Sequence, residues 1–190
     1  MCKFGYLIKL ILLWGIGYYS TSLLISSRVS INTATLLDSF IPFIPWTGWI
    51  YVSLLLWMFF VGRIILSAPL WYHFFRCYEI LILTSLAFFI IIPTEAIRLL
   101  SDSFIMNLIY FLDPSSHKAL PSLHISMMIV PILYLWKMRY ESFWWVNIWA
   151  LLIAISCLTT KQHNILDIFG GITISLIVYY FFKEIRYYRK

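Results

Sequence analysis

The fold is decided by residues 142–182, which read SFWWVNIWALLIAISCLTTKQHNILDIFGGITISLIVYYFF. Residues 142–160 carry no charge, and residues 165–182 carry only Asp167. A helix needs about 20 mainly apolar residues to cross the hydrocarbon core of a bilayer, with a range of roughly 17–25. The stretch therefore predicts two membrane-spanning helices joined by a short polar turn.

The rest of the chain has the same apolar character. Of its 190 residues, 62% are hydrophobic and 12% are charged, and the mean hydropathy is +0.88. These values lie outside the usual range of soluble globular domains. Further spans are predicted at residues 6–25, 47–66, 77–93 and 119–136. Because no internal repeat or low-complexity linker divides the sequence, we predict an all-α, six-transmembrane-helix bundle in a single domain of residues 1–190.

The distribution of basic residues predicts the orientation in the membrane. Short loops that are rich in lysine and arginine remain on the cytoplasmic side. With six spans, one side holds Lys3, Lys9, Arg63, Arg76, Lys137, Arg139, Lys183, Arg186, Arg189 and Lys190. The other side holds only Arg28, Arg98, Lys118 and Lys161. We therefore predict that both termini are cytoplasmic, and that the opposite loops face the periplasm, the exterior or a lumen.

Charge and cysteine content exclude several functional classes. The net charge of +6 is explained by basic residues beside anionic headgroups, so we do not expect a nucleic-acid partner. Cys2, Cys77 and Cys157 are odd in number and scattered, which fits neither a disulfide framework nor a metal-ligand spacing. The expected partners are the lipid bilayer and a membrane lipid substrate, with no cofactor.

His163 and Asp167 stand four residues apart at the start of the last predicted span, so they share one face of a helix. An imidazole that donates one N–H to a carboxylate keeps its other nitrogen free to attack phosphorus. An intramembrane carboxylate is also costly without a partner. We predict that His163 is a nucleophile oriented by Asp167. Alternatively, His163 lies in headgroup water and Asp167 pairs with Lys161 or caps the last helix.

His124 opens the fourth predicted span and is the candidate general acid. Pro121 suits the first turn of a helix and Ser122 suits its cap, so nearby backbone N–H groups would face an incoming anion. The alternative is an ordinary helix start with polar residues. The span count places His124 and His163 at the same membrane face. Bis-histidine haem ligation is conceivable, but it leaves Asp167 and the lysines unexplained.

A phosphate also requires cations and hydrogen-bond donors around its oxygens. Arg98, Lys118 and Lys161 are three of the four basic residues on the predicted non-cytoplasmic side. Each could instead extend to the interface, with Arg98 paired to Glu95. Their concentration near the histidines favours a phosphate site. Asp102, Asp113 and His117 either contact a headgroup or belong to a solvated loop, and we favour the loop.

Two runs carry a resemblance to a known family. They are Ala119-Leu120-Pro121-Ser122-Leu123-His124 and His163-Asn164-Ile165-Leu166-Asp167. Together they resemble the type 2 phosphatidic acid phosphatase superfamily of membrane lipid phosphatases and phosphotransferases, whose pattern is a basic motif, Pro-Ser-Gly-His, then Ser-Arg before His-x-x-x-Asp.

The resemblance implies a role for each matching residue. His163 would form a phosphohistidine, Asp167 would orient it, and His124 would protonate the leaving group. Ser122 matches the serine of the second motif, Arg98 stands in for the first motif, and no metal is implied.

The chain departs from this pattern at two positions. Leu123 replaces the glycine, and Cys157 falls where the third motif has its arginine, so that Lys161 is the nearest replacement. A second motif with leucine, followed by a lysine before the last histidine, resembles the motifs of the branch that contains inositol-phosphorylceramide synthase-like phosphotransferases.

The function predicted from the sequence is a metal-independent lipid phosphatase. It would act on a lipid of the phosphatidate, prenyl diphosphate or lipid A type through a phosphohistidine. One alternative is a lipid phosphotransferase that passes the phosphate or phospho-headgroup to a hydroxyl acceptor. A second alternative is a non-catalytic lipid-binding or transport protein.

Overall fold

The computed structural model describes residues 3–67, 71–113, 115, 117–141 and 143–187, with the backbone alone at Phe4 and residues 182–187. Of the residues named above, Cys2, Ser142, Arg189 and Lys190 lie outside the described residues. The described chain is mainly helical. Its helices are α1 (Lys3–Ile25), α2 (Leu36–Ser39), α3 (Gly48–Val52), α4 (Leu54–Ser67), α5 (Trp71–Ile91), α6 (Phe104–Leu112), α7 (Leu123–Lys137), α8 (Phe143–Thr159) and α9 (Ile165–Tyr187).

The long helices are apolar enough to indicate a membrane protein. Three helical stretches in the described residues have the length and composition to cross a bilayer: Gly5–Ile25, Pro45–Ser67 and Trp71–Ile91. Three shorter apolar helices are Leu123–Lys137, Phe143–Thr159 and Ile165–Phe181. The all-α class is confirmed, whereas the count of six spans stays a prediction.

Several predicted boundaries differ from those of the structure. The second predicted span is interrupted at Ser53, between α3 and α4. Helix α5 begins at Trp71, earlier than the predicted Cys77. Helix α7 begins at Leu123, later than the predicted Ala119, because Ser122 is its N-cap and accepts a hydrogen bond from the backbone N–H of Ile125.

Helix α7 lies at the centre of the bundle and contacts α4, α5, α8 and α9, while α1 packs against α5. The buried side chains between these helices include Trp57, Phe89, Leu135 and Ile153. Helices α8 and α9, which form the hairpin of residues 142–182, both pack against α7. This arrangement brings the start of α7 beside the start of α9.

A short parallel strand pair joins the connections at one end of the bundle. Strand β1 (Ile31–Asn32) pairs with strand β2 (Thr94–Glu95). Thr94 also binds the segment before α7: its carbonyl accepts from the N–H of Ala119 at 3.0 Å, and its Oγ1 accepts from the N–H of Leu120 at 2.7 Å. These bonds fix the backbone of Lys118 and Ala119 near the histidines. The sequence analysis did not predict this pairing.

Candidate active site

His124 and His163 meet at this end of the bundle. Their ring centroids lie 5.5 Å apart, with the ring planes inclined by 62°. His124 belongs to the first turn of α7, and His163 lies two residues before α9. Two hairpins that are distant in sequence therefore supply neighbouring imidazoles.

The turn between α8 and α9 presents His163. Lys161 adopts a left-handed conformation with φ of 55°. Its N–H donates to Leu158 O at 3.1 Å, and the N–H of Gln162 donates to Cys157 O at 3.2 Å. This pair of bonds is the Schellman pattern, which ends a helix and reverses the chain. The reversal leaves His163 only 6% exposed.

The contact at Nδ1 of His163 determines its tautomer. Nδ1 lies 3.1 Å from the carbonyl oxygen of Ala119. Because a carbonyl oxygen can only accept, Nδ1 must carry the proton in this bond. A neutral imidazole then has its lone pair on Nε2. His163 is therefore in the tautomer that a nucleophilic imidazole needs.

Asp167 caps the start of α9, as one alternative predicted, and lies near His163, whereas its role in orienting a nucleophile stays a prediction. Its Oδ2 accepts from the N–H of Asn164 at 2.7 Å and lies 3.7 Å from Nδ1 of His163. The second distance is too long for a hydrogen bond but short enough for charge stabilisation. Within the described part of the chain, the buried Oδ1 has no hydrogen-bond partner.

A narrow cavity of about 20 Å³ joins the two imidazoles to the predicted cations. The described residues that line it include Arg98, Lys118, His124 and His163. Asp113 also lines it with a side chain that is only partly exposed, and its contact with a headgroup stays a prediction. The cavity thus combines the candidate nucleophile, the candidate acid and two cations.

Lys118 is held deep in this cavity. Its side chain is 1% exposed, and Nζ lies 3.4 Å from Oδ1 of Asp113 and 3.1 Å from the ring centroid of Tyr18. Nζ also donates to Oγ of Ser22. Burial lowers the pKa of Lys118 to about 8, although the neighbouring Asp113 carboxylate opposes this shift. The ammonium is therefore charged at neutral pH but close to its titration range.

Arg98 is paired with Asp113, whereas Glu95 has other contacts. Nη2 of Arg98 donates to Oδ2 of Asp113 at 3.2 Å and to the carbonyl of Ser115 at 3.0 Å. Glu95 accepts a hydrogen bond from Oγ of Ser30. The i, i+3 alternative for Arg98 is thus wrong, because the connection after β2 turns the guanidinium towards the end of α6.

Ser122 and Lys161 do not belong to the described lining of the cavity. Ser122 is fully buried and caps α7. Nζ of Lys161 donates to the carbonyl of Asp38 at 2.8 Å and to that of Ile41 at 2.6 Å. Both side chains therefore have structural contacts, and their phosphate contacts stay predictions from the sequence.

Asp38 supports the same turn from a remote part of the chain. Its Oδ1 accepts from the N–H of Ile165 at 2.8 Å, at the first turn of α9. Its Oδ2 accepts from the N–H and Oγ1 of Thr35. Burial raises the pKa of Asp38, but these hydrogen bonds together with Lys161 outweigh burial and lower it. The carboxylate therefore remains ionised and caps α9.

Among the described residues, no group of three or more His, Cys, Asp or Glu side chains could hold a metal ion. Comparison of the chain with protein-family models, curated proteins and solved structures gives no match. The chemistry of the site is therefore argued from its own geometry.

The sequence analysis did not identify two tyrosines that shape the site. The ring of Tyr51 packs on His124, with centroids 4.3 Å apart, and its hydroxyl lies 3.5 Å from Nδ1 of His124. Tyr18 lies beneath Lys118 and donates to Oδ2 of Asp113 at 2.8 Å. Both tyrosines lie in apolar segments, where tyrosine also occurs as interface bulk, so no sequence signal distinguished them.

Proposed function

We propose that this chain is an integral-membrane enzyme that cleaves a phosphate ester of a lipid through a phosphohistidine on His163. The observation that carries the proposal is the meeting of His163 and His124 in one cavity with Arg98 and Lys118. A nucleophile, an acid and two cations are the groups that phosphoryl transfer by covalent catalysis needs.

In the first step, Nε2 of His163 attacks phosphorus while the bond from phosphorus to the lipid oxygen breaks. His124 gives its proton to that oxygen, and Asp167 stabilises the positive charge that develops on His163. Arg98 and Lys118 hold the phosphate oxygens. In the second step, water or an alcohol gives its proton to His124 and attacks phosphorus, so that the bond to Nε2 breaks.

A second cavity supports a lipid substrate. It has a volume of about 100 Å³ and is lined by mainly apolar side chains of α1, α4, α5 and α7. Trp14 and Met127 line it about one helical turn from Tyr18 and His124, which line the charged cavity. The two cavities thus follow the same helices. A headgroup in the charged cavity can extend its hydrocarbon chain into the apolar one.

We further propose six spans, with both termini cytoplasmic and the site at the opposite face. In support, the C-terminal part of α1 and the N-terminal ends of α7 and α9 meet at the site, as Ser22, His124 and His163 show. Helices that alternate in direction across a bilayer produce such an arrangement.

The test is rapid-quench labelling of the purified chain with [³²P]phosphatidate and with phosphatidyl[³²P]glycerol. We expect acid-labile, alkali-stable label on the protein, which the His163→Asn variant lacks. The His124→Asn variant should form it 10²–10⁴-fold more slowly. His73→Asn, at the start of α5, is the matched control and should behave as wild type.

The same experiment separates the alternatives. Release of the phosphorylated product without an added acceptor indicates hydrolysis, whereas transfer only in the presence of a second lipid indicates a phosphotransferase. Turnover that survives His163→Asn would overturn the phosphohistidine. Lipid movement between leaflets without turnover, unchanged in that variant, would instead favour a transport protein.

A further inference from the structure

Helix α6 carries apolar side chains on two opposite faces. On its inner face, Ile105, Met106 and Ile109 are buried against the protein. On its outer side, Phe104 is 71% exposed and Phe111 is 80% exposed. The helix contains no charged residue. A surface helix that faced water would instead combine an apolar inner face with a polar outer face.

The exposed side chains of α6 form one continuous surface. Phe104, Leu108 and Phe111 follow the i, i+4, i+7 spacing that places side chains on one side of a helix. Leu100, just before the helix, is also almost fully exposed. We call Phe104, Leu108 and Phe111 the outer face of α6. Contiguous apolar surface is unfavourable in water and marks a site of interaction.

The neighbours of the outer face indicate what covers it. The ring of Phe104 lies 6.4 Å from that of Trp49, measured between centroids. A Cβ atom on Gly48 would come 3.0 Å from Cγ1 of Ile105, so α6 packs closely on the same turn. Gly48 and Trp49 belong to Pro45–Ser67, a stretch with the length and composition to cross a bilayer. The outer face thus continues the surface of that stretch near its first residues.

Trp49 also indicates the level of this contact in the membrane. Its side chain is exposed, and tryptophan is enriched at the boundary between lipid headgroups and acyl chains. The exposed Trp46 lies one turn earlier in the chain. The aromatic side chains beside Phe104 therefore fit a position at this boundary.

Helix α6 is too short to cross the bilayer itself. Its nine residues extend about 13.5 Å, which is less than half of a hydrocarbon core of about 30 Å. The connection that contains α6 also returns to the end of the bundle from which it leaves, because the carbonyl of Thr94 accepts from the N–H of Ala119. A short helix with an apolar outer face at one end of a bundle is suited to lie within one leaflet.

Helix α6 leads directly into the charged cavity. Asp113 follows its last residue, and the N–H of Asp113 donates to the carbonyl of Ile109. Oδ2 of Asp113 accepts from the hydroxyl of Tyr18 at 2.8 Å and from Nη2 of Arg98 at 3.2 Å. The guanidinium of Arg98 also lies 5.3 Å from the ring centroid of Tyr110, which belongs to α6. The depth of α6 in the membrane therefore determines the depth of Arg98.

We propose that the outer face of α6 docks among the acyl chains of the leaflet at this end of the bundle and holds the charged cavity at the level of the lipid headgroups. The connection between α5 and α7 is then embedded in lipid and is not a loop in water. This inference goes beyond the proposed function, because it requires only that the chain lies in a bilayer. A leaflet is the occupant that covers the outer face and the adjoining surface of Pro45–Ser67 together.

The test measures the depth of a spin label on the full chain in phosphatidylcholine liposomes. The label is attached to Phe111→Cys or to Asp102→Cys in a Cys2→Ser background, in which the remaining thiols of Cys77 and Cys157 are buried. We expect the label at Phe111→Cys to be more accessible to oxygen than to a water-soluble nickel chelate. The label at Asp102→Cys, an exposed position before α6, should show the reverse. The Cys2→Ser chain after the same labelling is the blank.

Two results of this experiment would overturn the proposal. Greater access of the nickel chelate than of oxygen at Phe111→Cys would show that the outer face lies in water. Dipolar broadening between labels on different molecules would show that a second copy of the chain covers it.

A second measurement tests the link to the charged cavity. His163→Asn protein in liposomes is titrated with dioleoyl phosphatidate in the bilayer and with monomeric dihexanoyl phosphatidate in solution. We expect Phe104→Ser with Phe111→Ser to weaken binding of the bilayer lipid several-fold and to leave binding of the soluble lipid unchanged. Phe59→Ser, which removes an exposed phenylalanine of α4, is the matched control and should change neither. Thermal melting shows whether each variant is folded.

Equal weakening for both lipids, or no weakening for either, would overturn the link between α6 and the level of the cavity. Absence of phosphohistidine on the wild type would overturn the proposed function. The depth of the spin label does not depend on turnover, so the two proposals fail separately.

Discussion

Gly171 lies directly against Ser122: a Cβ atom on the glycine would come 2.6 Å from the carbonyl oxygen of the serine. Across the same interface, Oγ of Ser126 donates to the carbonyl of Gly171 at 3.2 Å. Small residues of this kind let two helix backbones approach closely in a membrane. Because α7 carries His124 and α9 follows His163, this contact sets the spacing of the two imidazoles.

Gly171→Ala should therefore separate α7 from α9. The added methyl group meets a backbone carbonyl that cannot rotate away, and such overpacking typically costs 1–3 kcal/mol. Since an error of about 1 Å in catalytic geometry can cost about 10²-fold, we expect turnover to fall by more than tenfold. The measurements are the melting temperature in detergent and kcat.

Gly170→Ala is the matched control on the neighbouring residue. Its Cβ would come 2.3 Å from Cδ1 of Leu120, which is the end of a flexible side chain, and 3.5 Å from Cα of Pro121. Leu120 can move, so melting temperature and kcat should stay close to wild type. Equal losses in the two variants would contradict a specific role for the contact of Gly171 with Ser122.

Binding of an anionic lipid should weaken as pH rises through the pKa of Lys118, which burial lowers to about 8. A charge-assisted hydrogen bond contributes about 1.5–3 kcal/mol, so loss of the ammonium should raise Kd about tenfold or more between pH 7 and 9.5. Lys118→Arg keeps its charge in this range and should remove the dependence. The measurement is lipid titration of His163→Asn protein, and Lys3→Met at the other end of α1 is the control.

Lys118 should also make the free energy of unfolding depend on pH, in the opposite direction to lipid binding. The pKa of Lys118 is about 8 in the folded protein and 10.5 ordinarily, so between these values the unfolded state binds more protons. The free energy of unfolding of the ligand-free protein should therefore rise with pH in this window. A Lys118→Met variant that shows the same rise would assign it to another group.

Gly62→Leu should impair long-chain substrates selectively. Gly62 lines the apolar cavity, and a Cβ atom at this position has no neighbour within 4 Å in the described structure. A leucine would fill space that the lipid chain is proposed to occupy. We expect KM to rise several-fold for dioleoyl lipids and to stay unchanged for dihexanoyl lipids. Gly15→Leu is the control, because Gly15 is equally open but outside the described lining of this cavity.

Periodicity and local chemistry predicted much of the fold. The uncharged runs predicted α8 to within one residue at each end and the start of α9, although α9 extends to Tyr187, beyond the predicted residue 182. Asp167 does lie beside His163, but the predicted shared helix face was wrong, because His163 lies in the turn before α9. The start of α7 was misjudged because Pro121 and Ser122 form a cap outside the helix. The bonds of Thr94 to the segment before α7 join parts of the chain that share no sequence pattern.

The site was predictable only where its residues lie close together in sequence or at helix starts. Lys161 lies two residues before His163, yet a left-handed turn commits its side chain to the carbonyls of Asp38 and Ile41. Asp113 lies in a polar connection of the sequence, and only its tertiary contacts with Arg98 and Lys118 reveal that it lines the charged cavity. Side-chain direction after a turn depends on backbone conformation that residue type alone does not specify.

Ile165 and Lys161 both donate hydrogen bonds to Asp38, which affects when the site can form during biosynthesis. The ribosome releases the segment around Asp38 long before it makes the turn that contains His163, so a nascent chain lacks the contacts that hold His163 in the proposed active site. Activity should therefore arise only at the end of membrane insertion, when the last hairpin closes onto segments made first.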